Sequence, residues 1–256
     1  MSARDPQEPR TATTLELLYD LTLVVAFGVA GTQAAHALAS GHAAVAVVGF
    51  AFSQFAVIWA WMSYSGFASS FDTDDWGVRL GVGTQMLGVL VLTVGLPELF
   101  AGLEHHWTLD NGTMVAGYVV MRLSMLIFWG RAARANPDLR STCTAHAVTI
   151  VLAQTMWVLL SVLGVQGMTF LVLGLVAVGL DVSGPALVRH VWDEVPWHPH
   201  HIAERYGLIT IITLGEVVVG TAESVSVLHL AHGWAPSTVL VLFSGTSITL
   251  GLWWTY

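Results

Sequence analysis

Residues 200–229, HHIAERYGLITIITLGEVVVGTAESVSVLH, form one long apolar run interrupted by Glu204, Arg205, Glu216 and Glu223. The run exceeds the roughly 20 residues that a helix needs to cross the hydrocarbon core. A charge at the bilayer centre costs roughly 2.5–3.5 kcal/mol on insertion scales, so such residues turn toward a bundle interior or a watery cavity. At about 100° per residue, Arg205, Glu216 and Glu223 fall within roughly 20° of one another. The stretch therefore predicts a membrane-spanning helix with one polar stripe turned away from lipid.

The rest of the chain agrees with a membrane setting. Its 256 residues are 55% hydrophobic and only 10% charged, with a mean hydropathy of +0.68. A soluble domain carries about 25% charged residues. The net charge of −8 and the lack of a basic patch exclude nucleic-acid binding. The single Cys143 excludes an internal disulfide framework. The opening MSARDPQEPRTATT has no basic segment followed by an apolar core, so no cleaved signal peptide is read there.

Eight candidate spans follow, at about 14–39, 43–67, 77–103, 113–135, 141–165, 167–190, 200–229 and 234–256. Pro97, Pro137, Pro185, Pro196, Pro199 and Pro236 lie at or near the proposed ends, where they interrupt least. Arginine placement tests the count. All 9 basic residues are Arg; the connections at 40–42, 104–112, 166 and 230–233 hold none of them. Arg4, Arg10, Arg79, Arg131, Arg134, Arg140, Arg189 and Arg205 all fall at the other side. That side is expected to be cytoplasmic, with both ends of the sequence inside. The expected fold is an all-α polytopic transmembrane helical bundle: a cytoplasmic tail over 1–13, then a single helical domain over 14–256.

Several polar residues remain inside the spans. Arg122 lies roughly 13 Å deep in span four. A guanidinium is effectively always charged and offers five donors, so it needs a carboxylate or an anionic ligand. Glu216 lies at matching depth in an oppositely directed span, and the expected partner of Arg122 is Glu216 or Glu223. Asp181 precedes Pro185, which frees the Asp181 carbonyl from the helix ladder. Glu16 and Asp20 share one helix face and read either as N-terminal acids complementing the helix dipole or as a carboxylate pair at a cavity mouth. In DTDDWGVR, Thr73 or Asp74 is expected to cap span three, and Asp75 and Arg79 are spaced for an ion pair. These three charges, Asp74, Asp75 and Arg79, read as a structural latch. His198, His200 and His201 near Asp193 and Glu194 match no tight metal motif, and no metal or cofactor site is read. His201 opens the charged helix, and an imidazole is a side chain that can change charge near neutral pH. Most tryptophans, including Trp59, Trp61, Trp76, Trp107, Trp192 and Trp197, read as an interfacial belt. Trp253 and Trp254 are candidates for stacking on a ligand. Gly77-x₃-Gly81 and Gly215-x₄-Gly220 read as close helix packing.

LELLYDLTLVVAF, FDTDDWGVRLGVGTQMLGVLVLTVGLPELF, HIAERYGLITIITLGEVVVG and GLWWTY, taken in order, resemble the bacterial low temperature requirement A family. The resemblance runs from about residue 15 to 256, and its most specific parts are ERYGL…TLGE and DTDD…R. It implies an integral protein of the bacterial cytoplasmic membrane and carries motif positions onto Glu16, Asp20, Asp74, Asp75, Arg79, Glu204, Arg205, Glu216, Trp253 and Trp254. Family members are generally longer, and GLWWTY reads as the middle of a helix that continues, so the sequence is expected to be either a short member or part of a longer protein. The resemblance supplies no reaction.

Three functions compete. The first is a proton-coupled transporter of a small or lipid-like molecule, with Glu216 carrying the proton, Arg122 and Arg205 as its charge partners and Asp181 as a relay. The others are an intramembrane enzyme using Glu216 or Asp181 as an acid on an isoprenoid or lipid, and a membrane scaffold or sensor. The expected partners are the bilayer and one unidentified small or lipid-like ligand, with a homo-oligomer left open.

Overall fold

The structure, a computed structural model, describes residues 2–3, 11–72, 74–106, 111–165, 167–191, 195 and 197–256. The expected cap at Thr73, the acids Asp193 and Glu194, and the belt residues Trp107 and Trp192 lie outside them, as do Arg4, Arg10 and Pro196. Among the described residues there are eight long helices: α1 (Thr14–Ala39), α2 (Ala43–Ser70), α3 (Trp76–His106), α4 (Gly112–Ala135), α5 (Arg140–Val162), α6 (Gly167–Val191), α7 (Pro199–His232) and α8 (Pro236–Thr255). Seven of them are long and apolar enough to cross a membrane, and α6 carries the shorter apolar stretch Val172–Val188. The only extended pairing among the described residues is Ser2–Ala3 against Phe71–Asp72.

Local chemistry sets the ends. Thr13 and Glu16 form a reciprocal capping box at the start of α1: the Glu16 amide donates to Thr13 Oγ1 at 3.2 Å and the Thr13 amide to Glu16 Oε2 at 2.7 Å. At the end of α1, Gly41 sits at φ +83°. The His42 amide reaches back to the Ala37 carbonyl and that of Gly41 to Leu38, a Schellman closure that needs a residue in the left-handed region. Gly164 closes α5 in the same way, with φ +58°.

Two helix interiors depart from expectation. Pro97 lies inside α3, and Pro185 lies inside α6. Each helix continues past its proline because one lost ladder bond is tolerable where neighbouring groups satisfy the freed carbonyl.

The chain divides into two compact units, Met1–Ile202 and Ala203–Tyr256. In the first, α3 packs most extensively on α4, α1 lies against both α2 and α3, and the sequence α4, α5, α6 packs in order. The α3–α4 contact is a glycine seam. A Cβ on Gly117 would stand 2.8 Å from Leu92 Cα, and one on Gly88 would stand 2.7 Å from the Gly117 carbonyl oxygen. Gly95 similarly abuts the backbone of Met114, and Gly81 abuts Phe128. Gly81, Gly88 and Gly95 recur every seven residues, so one face of α3 is backbone alone. Gly77, expected in such packing, lies beside the Arg131 guanidinium. Within the second unit, Gly215 and Gly220 meet nothing within 4 Å among the described residues.

The core of the first unit is aromatic and aliphatic, with Tyr19, Leu23, Trp61, Phe128 and Met121 almost wholly buried. Outward positions such as Leu21, Leu80, Leu87, Val94, Ile127 and Leu175 are equally apolar and exposed. A surface so apolar has lipid as its natural solvent. In the second unit the remainder of α7 runs to a turn at Gly233, φ +62°, and α8 returns with Gly245 against Thr221.

Candidate functional site

The most connected polar group of the first unit is Arg122 on α4, only 3% exposed. It donates to Ser63 Oγ on α2 at 2.9 Å, to Asp181 Oδ1 on α6 at 3.2 Å and to the Tyr118 hydroxyl one turn back on its own helix. Its guanidinium carbon lies 4.7 Å from the Tyr118 ring centroid. Trp157 on α5 donates its indole N–H to the other carboxylate oxygen of Asp181, at 3.1 Å. One ion pair thus joins α2, α4, α5 and α6. Removing charges from water is costly, and the pair is sustained by the additional donors that complete both groups.

This corrects the expected pairing: Arg122 meets Asp181, where Glu216 or Glu223 was expected. α6 is the helix that follows α5 around the unit, and it brings Asp181 to Arg122.

Beside the pair lies a cavity of about 590 Å³. Each wall is one helix face at helical spacing. Ser63, Gly66, Phe67 and Ser70 come from α2; Arg122 and Trp129 from α4; Thr142, His146 and Thr149 from α5; Asp181 and Pro185 from α6; Trp197 and Ile202 from the segment leading into α7. The His146 ring stacks on Trp129 with centroids 4.3 Å apart. Gly66 has nothing within 4 Å of where its Cβ would be, so the wall is open at that point. The volume falls within the roughly 300–1,000 Å³ typical of small-molecule sites, as does a mainly apolar wall with few polar groups.

A second buried cluster lies at the start of α1. Glu16 and Asp20 do share a face, and both are buried. Each has its own donor. His201 Nε2 lies 3.3 Å from Glu16 Oε1, and Trp61 donates to Asp20 Oδ1 at 2.7 Å. The His198 amide donates to Ser69 Oγ at 2.8 Å, fixing the start of α7 to α2.

The latch between α2 and α3 uses different pairs from those expected. Asp74 binds Arg79, with 3.0 Å to Nε and 2.9 Å to the terminal nitrogen. Asp75 binds Arg131 of α4 and also caps α3, accepting from the Val78 amide at 2.9 Å. Asp75 faces the first-turn amides, which turns it away from Arg79, and leaves Arg79 to Asp74. The hydrogen bond from Arg131, and then that from the Val78 amide, hold the Asp75 carboxyl below its ordinary value; the bond from Arg79 does the same for Asp74. A carboxyl lowered by folding stabilises the fold fully above its unfolded value near 3.9, and that contribution is lost as pH falls through the lower folded value. Asp75→Ala should cost about 1 kcal/mol through the lost cap. Its melting temperature in detergent should lie below the parent's at pH 7, and the gap should narrow below about pH 4.

In the second unit, Arg205 is buried and Glu216 half-buried, whereas Glu204, Glu223, Trp253 and Trp254 are exposed. The two indoles meet edge to face at 6.4 Å. Sequence reading overlooked Ser63, Tyr118 and Trp157. Trp157 carried only a general signal: a buried indole N–H calls for an acceptor.

An uncharacterised protein of Rhizobium meliloti (strain 1021) is 27% identical over 256 residues, covering 94% of this chain. The chain spans 57% of that relative's length. No solved structure matches. The family described as bacterial low temperature requirement A protein (LtrA) matches residues 11–256, including every helix described above. With nearly the whole sequence matched and a multi-pass helical fold in place, the chain belongs to the bacterial low temperature requirement A family.

Proposed function

We propose that the chain is a transporter of the bacterial cytoplasmic membrane, carrying a small or lipid-like molecule through the cavity beside Arg122 and Asp181. The single observation that supports this most is a ligand-sized cavity with an ion pair in its mid-membrane wall. A proton arriving on Asp181 removes the charge that holds α6 to Arg122, with Tyr118 and Tyr19 as further titratable groups acting on the arginine. Pro185, four residues on, removes a ladder bond from the same turn and leaves α6 a place to bend. Proton binding then shifts the balance between two arrangements of α6 against α4 and α5. Glu216 on α7 is a second proton-carrying group in this reading.

Acid catalysis is the weaker reading. A catalytic acid must reach its substrate with a proton to give, and both Asp181 oxygens already accept hydrogen bonds. A scaffold would need no cavity.

Gly66→Leu tests the reading without touching the ion pair. The added side chain enters open space in the wall, and the site loses volume. Mass spectrometry of small molecules co-purifying with the parent and the variant, at equal folding yield, should show one non-bulk molecule depleted about tenfold or more in the variant, the equivalent of 1.4 kcal/mol. A related pair of precursor and altered product would instead favour the enzyme. Bulk phospholipid alone in both samples would sink the transport reading.

A further inference from the structure

The cavity's deep end offers donors and almost no acceptor. Asp181 has both oxygens engaged, by Arg122 and Trp157. Ser63 accepts from Arg122 and gives its own proton to the Trp59 carbonyl at 2.8 Å. Thr149 donates to the His146 carbonyl within α5 at 2.9 Å. Against this stands the Nε–H of Arg122, buried and without a hydrogen-bond partner among the described residues. A buried donor left unmade is costly, the more so on a cation. Along α2 the lining runs from Trp59 to Ser70, about 16 Å at 1.5 Å per residue. Most of that length is walled by Trp59, Phe67, Trp129, Ile150, Pro185 and Trp197. The site is thus long and apolar, with a cationic donor at one end.

We propose that the cavity binds an amphipathic anion, its carboxylate or phosphate accepting from Arg122 Nε and its apolar body lying along the tryptophan-lined wall. This rests on the transport reading only in taking the same cavity as the binding site. An anion suits this guanidinium because both terminal nitrogens are engaged by Ser63, Tyr118 and Asp181, which leaves Nε–H as a charged donor for an acceptor oxygen. The neutral alcohol of the same chain length lacks the charge and should bind much more weakly.

The test uses the full chain in phosphatidylcholine nanodiscs and quenching of tryptophan fluorescence by ω-bromoundecanoate. Quenching should saturate, and laurate and dodecyl phosphate should compete, whereas dodecanol should compete at least about tenfold less well. Trp129→Phe should reduce the saturable part, and Gly66→Leu should abolish it. Arg122→Lys, which keeps the charge but loses the Nε–H donor, should weaken binding. Arg122→Gln combined with Asp181→Asn, a neutral hydrogen-bonding pair that leaves no lone buried charge, should remove the preference for laurate over dodecanol. Repeating the titration in phosphatidylglycerol discs separates the sources. Lost quenching there assigns the site to an anionic membrane lipid; retained quenching assigns it to a free amphipathic acid.

Equal competition by dodecanol and laurate, or an unchanged preference in the neutral pair, overturns the anion site while leaving the transport reading standing. Anion-selective saturable binding beside a co-purification result of bulk phospholipid alone would keep the site and remove transport. Quenching unaffected by Gly66→Leu overturns the placement in this cavity.

Discussion

Asp181→Ala should lose about 3–5 kcal/mol of stability, because it leaves Arg122 as an uncompensated buried charge. The loss should appear as a lowered melting temperature in detergent and a smaller monodisperse fraction on size exclusion. Part of it belongs to Trp157, whose indole N–H also loses its acceptor. The companion variant separates a bad remainder from a valuable pair. Replacing both partners, as in Arg122→Met with Asp181→Leu, should recover most of the loss, since a buried ion pair exchanged for apolar groups is often neutral or stabilising. Recovery of stability without recovery of ligand would assign the pair to function. If Asp181→Ala melts like the parent, the pair is not the closed, desolvated contact described above.

Gly117→Leu should be the most damaging substitution outside the polar site. Even a methyl at Gly117 would stand 2.8 Å from Leu92 Cα, and backbone cannot turn aside as a side chain can. The helices must separate along the whole seam, loosening Gly88 against Met121 and Gly95 against Met114 as well. Overpacking typically costs about 1–3 kcal/mol and occasionally more; this position lies at the upper end because the obstacle is main chain. Gly83→Ala on α3, the partner helix of the seam, is the control. It meets nothing within 4 Å, and alanine in a helix interior gains about 1 kcal/mol over glycine. Thermal stability followed by fluorescence-detected size exclusion should therefore fall for Gly117→Leu and hold or rise for Gly83→Ala. Equal effects at the two positions would refute the seam.

Much of the fold was legible because the bilayer imposes one length on every span, and arginine asymmetry fixed their number. All eight helices fall close to the expected positions. Arg122 and Asp181 were both recognisable as costly charges inside spans. Their pairing was not, because depth alone leaves Asp181, Glu216 and Glu223 as rivals. Only the order α4, α5, α6 around the first unit selects Asp181. The latch failed for a local reason. The spacing of Asp75 and Arg79 permits an ion pair, yet a residue that caps a helix has its oxygens committed to the first-turn amides. Trp157 was hidden among the 11 tryptophans of the chain. Gly81, Gly88 and Gly95 were visible as a heptad, but nothing in their spacing named α4 as the surface they meet.

The ion pair also bears on how the protein is made. Asp181 follows Arg122 by 59 residues. At 5–20 residues per second, α4 emerges from the ribosome roughly 3–12 s before its counter-ion. During that interval Arg122 enters the insertion machinery as a lone cation in an apolar segment. Ser63, made 59 residues earlier, and Tyr118, on the same helix, are the partners already in existence. They can hold α4 in place until α6 arrives. Assembly of this unit is therefore ordered by the chain itself, with α6 as the step that commits it.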